Sequence, residues 1–337
     1  PFWFNVGTYL AFSELFHVFL LEYLPFIILL LSLYTISGGI RLKGTLVGTP
    51  KFNTFFILIG TSIASFMGTT GASMLLIRPL IRANKWRKKK NHIIIFFIFL
   101  VANIGGSLTP LGDPPLFLGF LKGVDFFWTT TAMFVPMLFM VISLLIIFFI
   151  YDTIQYKKEE NLPEPKNDEK FGVKGSFNLL LILGVVASVL LSGFWRPHID
   201  FTVYYVHVEL QNIARDILLL LLAYISWTYT AKEIREANEY TWFPIQEVAK
   251  LFAGIFITII PAIAILKAGT SGALAGIINA VSSDVGPVNH MYFWLTGILS
   301  SFLDNAPTYL VFFNTAGGDA QILMGELSNT LLAISAG

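Results

Sequence analysis

Read for hydropathy alone, the chain alternates long apolar runs with short polar connectors. Leu10 to Ile36, Thr129 to Tyr151, Phe177 to Trp195, Ala214 to Tyr229 and Pro244 to Leu266 each reach or approach a span. Crossing a hydrocarbon layer takes about 20 residues of helix. Two other runs do not read as simple spans. Phe52 to Ile81 is too long for one crossing and too short for two with a turn. Its middle, Met67-Gly68-Thr69-Thr70-Gly71-Ala72-Ser73, is small and polar. Met291 to Phe313 repeats the problem around Ser300-Ser301-Phe302-Leu303-Asp304-Asn305-Ala306-Pro307-Thr308. Each pattern predicts a re-entrant helical hairpin, with a tip that protein or water must satisfy inside the membrane. A last span is expected to begin near Gln321.

The run from His92 to about Leu121 is broken by Asn103-Ile104-Gly105-Gly106-Ser107-Leu108-Thr109-Pro110-Leu111-Gly112-Asp113-Pro114-Pro115. Gly is permissive and Pro lacks a donor, so this stretch cannot stay helical. An unwound segment at membrane depth, between two half-helices, reads as a binding site.

With 55% hydrophobic and 13% charged residues and a mean hydropathy of +0.71, the chain is a polytopic membrane protein. It has no cysteine and no His-x-x-x-His spacing, which excludes thiolate and helical zincin-type metal chemistry. The net charge of +1 gives no reason to expect nucleic acid as a partner. Instead, 17 of the 22 Lys and Arg fall in the segments 41–51, 78–90, 157–174 and 232–235. The positive-inside rule puts these on the cytoplasmic side of a plasma (inner) membrane. The first hairpin then enters from inside. The second enters from outside, because no Lys or Arg follows Lys267.

The two hairpins also match at an offset of about 236 residues, a spacing read directly from the chain. Ala64-Ser65-Phe66-Met67 falls over Ser300-Ser301-Phe302-Leu303, and Pro25 over Pro261. The expected fold is an all-α polytopic membrane protein of inverted repeats, with two re-entrant helical hairpins and Gly/Pro-broken helices. The offset also predicts that the chain is incomplete at both ends. The expected divisions are a first-repeat span and connector (1–51), a hairpin with its broken helix (52–121), and a span with the inter-repeat loop (122–176). Second-repeat scaffold spans (177–290) and a second hairpin leading into a broken helix (291–337) complete them.

Met67–Pro79, Asn103–Leu121 and Ser300–Gly318 resemble the ion-transporter superfamily, in the branch of NhaD-like sodium:proton antiporters and citrate transporters. The resemblance implies a transport domain that moves as an elevator against a scaffold, a homodimer, and small ions as cargo. It also implies a transporter rather than an enzyme, with no cofactor beyond sodium as the coupling ion. Dicarboxylate carriers of the superfamily place Ser-Asn-Thr at each tip. Here Gly68-Thr69-Thr70 and Asp304-Asn305-Ala306 stand there instead.

Asp113 before Pro114-Pro115 suits a helix N-cap, yet an intramembrane acid is a functional candidate by default. Asp304 carries the same two readings. Thr69, Thr70, Ser73, Asn103, Ser107, Thr109, Gly112, Asn305 and Thr308 supply neutral oxygens, amides and unwound backbone of the kind sodium favours. Asp113 and Asn305 are the expected sodium ligands. Ser65 and Ser301 read as helix-packing residues, and Glu14 and His17 as interfacial. Sodium/proton antiport is the leading expectation, because one acid that takes either ion couples the two by competition. A citrate-type anion symporter is the alternative. Half-helix N-termini favour carboxylates, but two site acids would repel them. An intramembrane aspartyl protease is disfavoured, since Pro110 replaces the first Gly of the expected Gly-x-Gly-Asp. No continuous polar stripe suggests a channel.

Overall fold

The computed structural model describes residues 8–159, 172–267, 271–273, 275–283 and 286–337. Helix α1 (Thr8–Val18) passes through a π-turn at Phe19–Tyr23 into α2 (Leu24–Ser37), forming one span over Ala11–Ser37. The π-turn directly precedes Pro25, whose missing N–H disrupts the regular ladder. Strand β1 (Arg41–Lys43) leads to α3 (Pro50–Met67) and α4 (Thr69–Ala83). Thr49 caps α3 by accepting from Phe52 N at 3.2 Å, with Pro50 at the first helical position.

The broken run becomes α5 (Asn91–Leu100), a 3₁₀ turn at Ile104–Gly106 and α6 (Pro114–Leu121). After α7 (Phe126–Tyr156) come β2 (Gly172–Lys174), α8 (Phe177–Phe194), the ribbon β3 (Asp200–Val203) and β4 (Val206–Glu209), and α9 (Leu210–Tyr229). The short α10 (Lys232–Ala237) precedes α11 (Phe243–Lys267) and α12 (Ala275–Val281). A two-residue ribbon, β5 (Ser282–Ser283) and β6 (Gly286–Pro287), leads to α13 (Asn289–Ser300), α14 (Asn305–Thr315), α15 (Ala320–Met324) and α16 (Ser328–Ala336). The span expected from Gln321 is thus two short helices, interrupted at Gly325.

Among the described residues, five helices are long and apolar enough to cross a membrane: Ala11–Ser37, Phe126–Tyr156, Phe177–Phe194, Leu210–Tyr229 and Phe243–Leu266. They agree with the five apolar runs to within a few residues. Their outward faces are apolar, as for Val135 and Phe139 on α7, which suits a lipid surround.

The basic segments gather at one end. β1 pairs antiparallel with β2, Arg41 opposite Lys174. Arg78 meets Glu239 at 3.1 Å, and Glu159 accepts from Lys88 N and Lys89 N at 3.2 and 3.0 Å. Arg235 donates to Thr35 O at 2.8 Å. Lys166 and Lys170 of the inter-repeat loop lie outside the described residues. At the opposite end Lys122 pairs with the buried Glu22, near the β3–β4 ribbon.

Helices α3 and α4 fold back on each other, their free ends together at the basic end. Gly48 N donates to Ala83 O at 2.9 Å, and Asn53 and Asn84 exchange side-chain bonds at 3.0 and 2.8 Å. The turn is the single residue Gly68, whose φ of 77° favours glycine. The pair α13 and α14 opens the other way. The helix after it lies against the far end of α6, with Ala320 beside Gly123 and Asp125 N on Met324 Sδ at 3.1 Å.

Candidate functional site

Both turns converge on the break before α6. At the first, Thr69 N donates to Gly112 O at 3.0 Å. Gly112 in turn lies on Gly106, so close that a Cβ on Gly112 would collide with the Gly106 carbonyl. One residue further on, Asn305 Nδ2 donates to Asp113 Oδ2 at 3.0 Å. That bond joins positions 192 residues apart. The N-termini of α4 at Thr69, α6 at Pro114 and α14 at Asn305 therefore meet around Gly112 and Asp113. Each carries partial positive charge from its helix dipole, although α6 opens on Pro114 and Pro115, which have no N–H, and Thr69 N is already bonded to Gly112 O.

The two acids divide their tasks. Asp304 is a working N-cap, its Oδ1 accepting from Ala306 N at 3.0 Å. Asp113 holds the equivalent position before α6, yet its side chain makes no capping bond. Its carboxylate, half-buried, turns to Asn305 instead.

Two spaces flank that carboxylate. A small cavity of about 60 Å³ lies among α2, the first turn and α11, and Tyr34, Thr69, Thr70, Asp113 and Pro244 are on its wall. A wider cleft of about 680 Å³ lies on the α7 and α13 side. Asn103, Ser107, Asp113, Thr296, Asp304 and Asn305 face it. Asp113 is common to both. Neither is lined by Lys or Arg. Among the described residues, no group of three His, Asp or Glu could cage a metal ion.

The other expected site residues separate into two sets. Thr69, Thr70, Gly112, Asp113 and Asn305 come together, and Asn103 and Asp304 join them across the wider cleft. Asn103 already donates to Ile98 O at 2.9 Å, ending α5. Thr109 is spent on backbone: its hydroxyl donates to Ser65 O and accepts from Leu111 N at 3.2 Å. Ser65 Oγ donates to Gly105 O at 2.6 Å and accepts from Leu108 N at 3.2 Å. Ser65 and Thr109 thus hold the unwound segment against α3. Thr308 bonds back to Asp304 O at 3.0 Å within its own helix. Ser73 lines neither space, although its buried hydroxyl has no protein partner. Glu14 and His17 are exposed on α1, away from the site.

Sequence reasoning missed Tyr34, which lines the smaller space from a helix read as an ordinary span, and Thr296, which lines the wider one from the first arm of the expected second hairpin. Thr296 was legible as a lone polar residue between Trp294 and Leu299; its buried hydroxyl is unpartnered.

The arrangement can hold a cation on the Asp113 carboxylate, and it offers three helix N-termini to an anion. The two uses are linked, because an anion beside Asp113 is repelled until that charge is neutralised. No curated protein and no solved structure matches the chain. A family profile described as "Putative citrate transport" matches residues 1–337, the whole sequence. The chain belongs to this citrate-transport family of membrane proteins, and is a transport protein rather than an enzyme.

Proposed function

We propose that the protein is a secondary active carrier that moves a citrate-type carboxylate together with a cation, sodium or a proton, taken up at Asp113. One observation carries this reading: the Asp113 carboxylate, without a capping role, faces Asn305 where the N-termini of α4, α6 and α14 converge. A bound cation cancels the carboxylate charge, and the three N-termini then favour the incoming anion. Loading is thereby obligatorily coupled. The empty site stays charged and is hindered from crossing.

The two helix pairs open to opposite ends and meet at their turns. This supports an inverted-repeat carrier with re-entrant hairpins, whose transport unit slides past a scaffold, and a homodimer would supply a fixed scaffold. Sodium/proton exchange without a carboxylate is the second reading. It is favoured by the lack of Lys and Arg around the two spaces.

Flux in proteoliposomes of the full-length protein tests both. The first reading expects labelled citrate uptake driven by an inward sodium or proton gradient. Sodium-driven proton movement at full rate without citrate, and no citrate uptake, would refute it in favour of exchange.

A further inference from the structure

A second polar cleft, of about 820 Å³, lies at the end opposite the basic loops, among α6, α7, α8 and α9. Arg215 lines it from one and a half turns inside α9 and is only 1% exposed. Its guanidinium is held in place by three neighbours. Nε donates to Asp216 Oδ1 at 2.8 Å, Nη1 donates to Asn212 Oδ1 at 3.1 Å, and the group lies 5.8 Å from the Phe117 ring centroid. The remaining nitrogen, Nη2, is buried and has no protein partner.

Gln211, also buried, lines the same cleft. Its Nε2 donates to Glu209 Oε2 at 2.7 Å, and this fixes which way the amide points, since a carboxylate only accepts. Gln211 Oε1 is then left as a buried acceptor with nothing to accept. Buried polar atoms without partners are rare, and each calls for a partner that the chain does not supply. Here one is a guanidinium donor and the other an amide acceptor, in one cleft.

We propose that this cleft is a recognition site for a hydroxycarboxylate arriving from the face opposite the basic loops. Arg215 takes the carboxylate and Gln211 takes the hydroxyl proton. A guanidinium fork suits carboxylate geometry, and Arg keeps its charge when buried. Arg196 lies exposed on the rim and adds attraction. Lys122 lines the cleft as well but is engaged by Glu22. The acids Asp125 and Glu209 also line it, and Glu209 is held by Gln211 and Asn212. Phe117, beneath the guanidinium, belongs to the eight-residue helix that starts after Asp113. At 1.5 Å per residue that helix is about 12 Å long, so the cleft lies one short helix away from the break. The proposal rests on the chain being a carboxylate carrier and adds where such a solute is first held.

Equilibrium binding of labelled citrate to the full-length protein in lipid nanodiscs tests this, with tricarballylate, which lacks the hydroxyl, as competitor. Removing Arg215 alone would strand Asp216, so the variant is Arg215→Gln with Asp216→Asn. It is expected to weaken citrate binding at least about tenfold, as loss of a buried charge-assisted bond implies. Gln211→Leu is expected to shrink the preference for citrate over tricarballylate. Arg196→Gln, on the exposed rim, removes one exposed bond to Gly193 O at 3.3 Å, is expected to leave the fold intact, and is expected to weaken binding most at low salt. Unchanged citrate affinity in a folded Arg215/Asp216 variant would overturn the proposal. So would Arg215-dependent retention of an anionic phospholipid that citrate does not displace. If citrate binds through Arg215 but is not carried across the bilayer, the transport reading fails and this site stands. If citrate is carried with Arg215 and Asp216 replaced and its affinity unchanged, this site alone fails.

Discussion

Replacing Asp152 by alanine is expected to be the most destabilising single change at the basic end. The carboxylate and the Arg87 side chain are both fully buried and lie 2.6 Å apart. Asp152 Oδ1 also meets His92 Nε2 at 2.7 Å, and Oδ2 accepts from Asn53 Nδ2 at 3.0 Å. One side chain therefore joins the mouth of the α3–α4 pair to α5 and α7. Deleting one partner of a buried ion pair costs about 3–5 kcal/mol, because the other charge is left uncompensated. Arg87 keeps two weak neutral acceptors, Asn84 Oδ1 at 3.3 Å and Asp152 O at 3.4 Å, which places the loss near the lower figure. At roughly 2–4 °C per kcal/mol for a large domain, the melting midpoint should fall on the order of 10 °C. Tryptophan-fluorescence melting in detergent, on wild type, Asp152→Ala, Arg87→Ala and the double variant, measures this. The double variant should be less destabilised than the two single losses added together. An Asp152→Ala protein that melts within about 2 °C of wild type would refute the account.

Asp113→Asn is expected to melt close to wild type, because no cap is lost, and to abolish ion-coupled flux; retained coupling with unchanged pH dependence would show the acid to be inert. Asp304→Asn should keep both fold and flux, since Asn is as good an N-cap as Asp, and a transport-dead Asp304→Asn protein would contradict this. Gly112→Ala should abolish flux in proteoliposomes through collision with Gly106, whereas Gly254→Ala in α11, where a Cβ meets nothing within 4 Å, should raise stability by roughly 0.5–1 kcal/mol in melting assays. Burial pushes the Tyr240 phenol up to about 12, from 10.0. The unfolded chain therefore ionises first as pH rises, so its stabilising effect is complete below pH 10 and is lost on going toward 12. Tyr240→Phe should flatten that alkaline decline in melting midpoint, and an identical pH profile would count against it.

Much of the membrane architecture was visible in the chain, because lipid restricts what a segment can be. The five long apolar runs, the glycine at the first turn and the proline pair at Asp113 each left a local signature. The basic segments, scattered in sequence, gather at one end as charge asymmetry requires. What was not visible depended on distant partners. Thr109 reads like any cation-ligating hydroxyl, and only its contact with Ser65, 44 residues away, shows that it is used to hold backbone. Asp113 and Asp304 are indistinguishable as acids preceding a helix; the difference lies in which one turns to Asn305. Arg215 and Asp216 sat inside an expected span as adjacent opposite charges, a signal that was readable but not weighed. Gly325 broke the last run because its neighbours form two separate helices, an outcome hydropathy does not encode.

The bond between Asn305 and Asp113 has a further consequence for how the protein is made. Chains enter the membrane from the N-terminus, so α6 is in place long before α14 has been synthesised. Throughout that interval Asp113 has no Asn305, and the half-built molecule lacks the bond that joins the second turn to the break. Under the proposed function, cargo uptake at Asp113 has to await the arrival of α14. A partly synthesised carrier is therefore expected to be silent rather than leaky, which would protect the ion gradients of the cell during assembly.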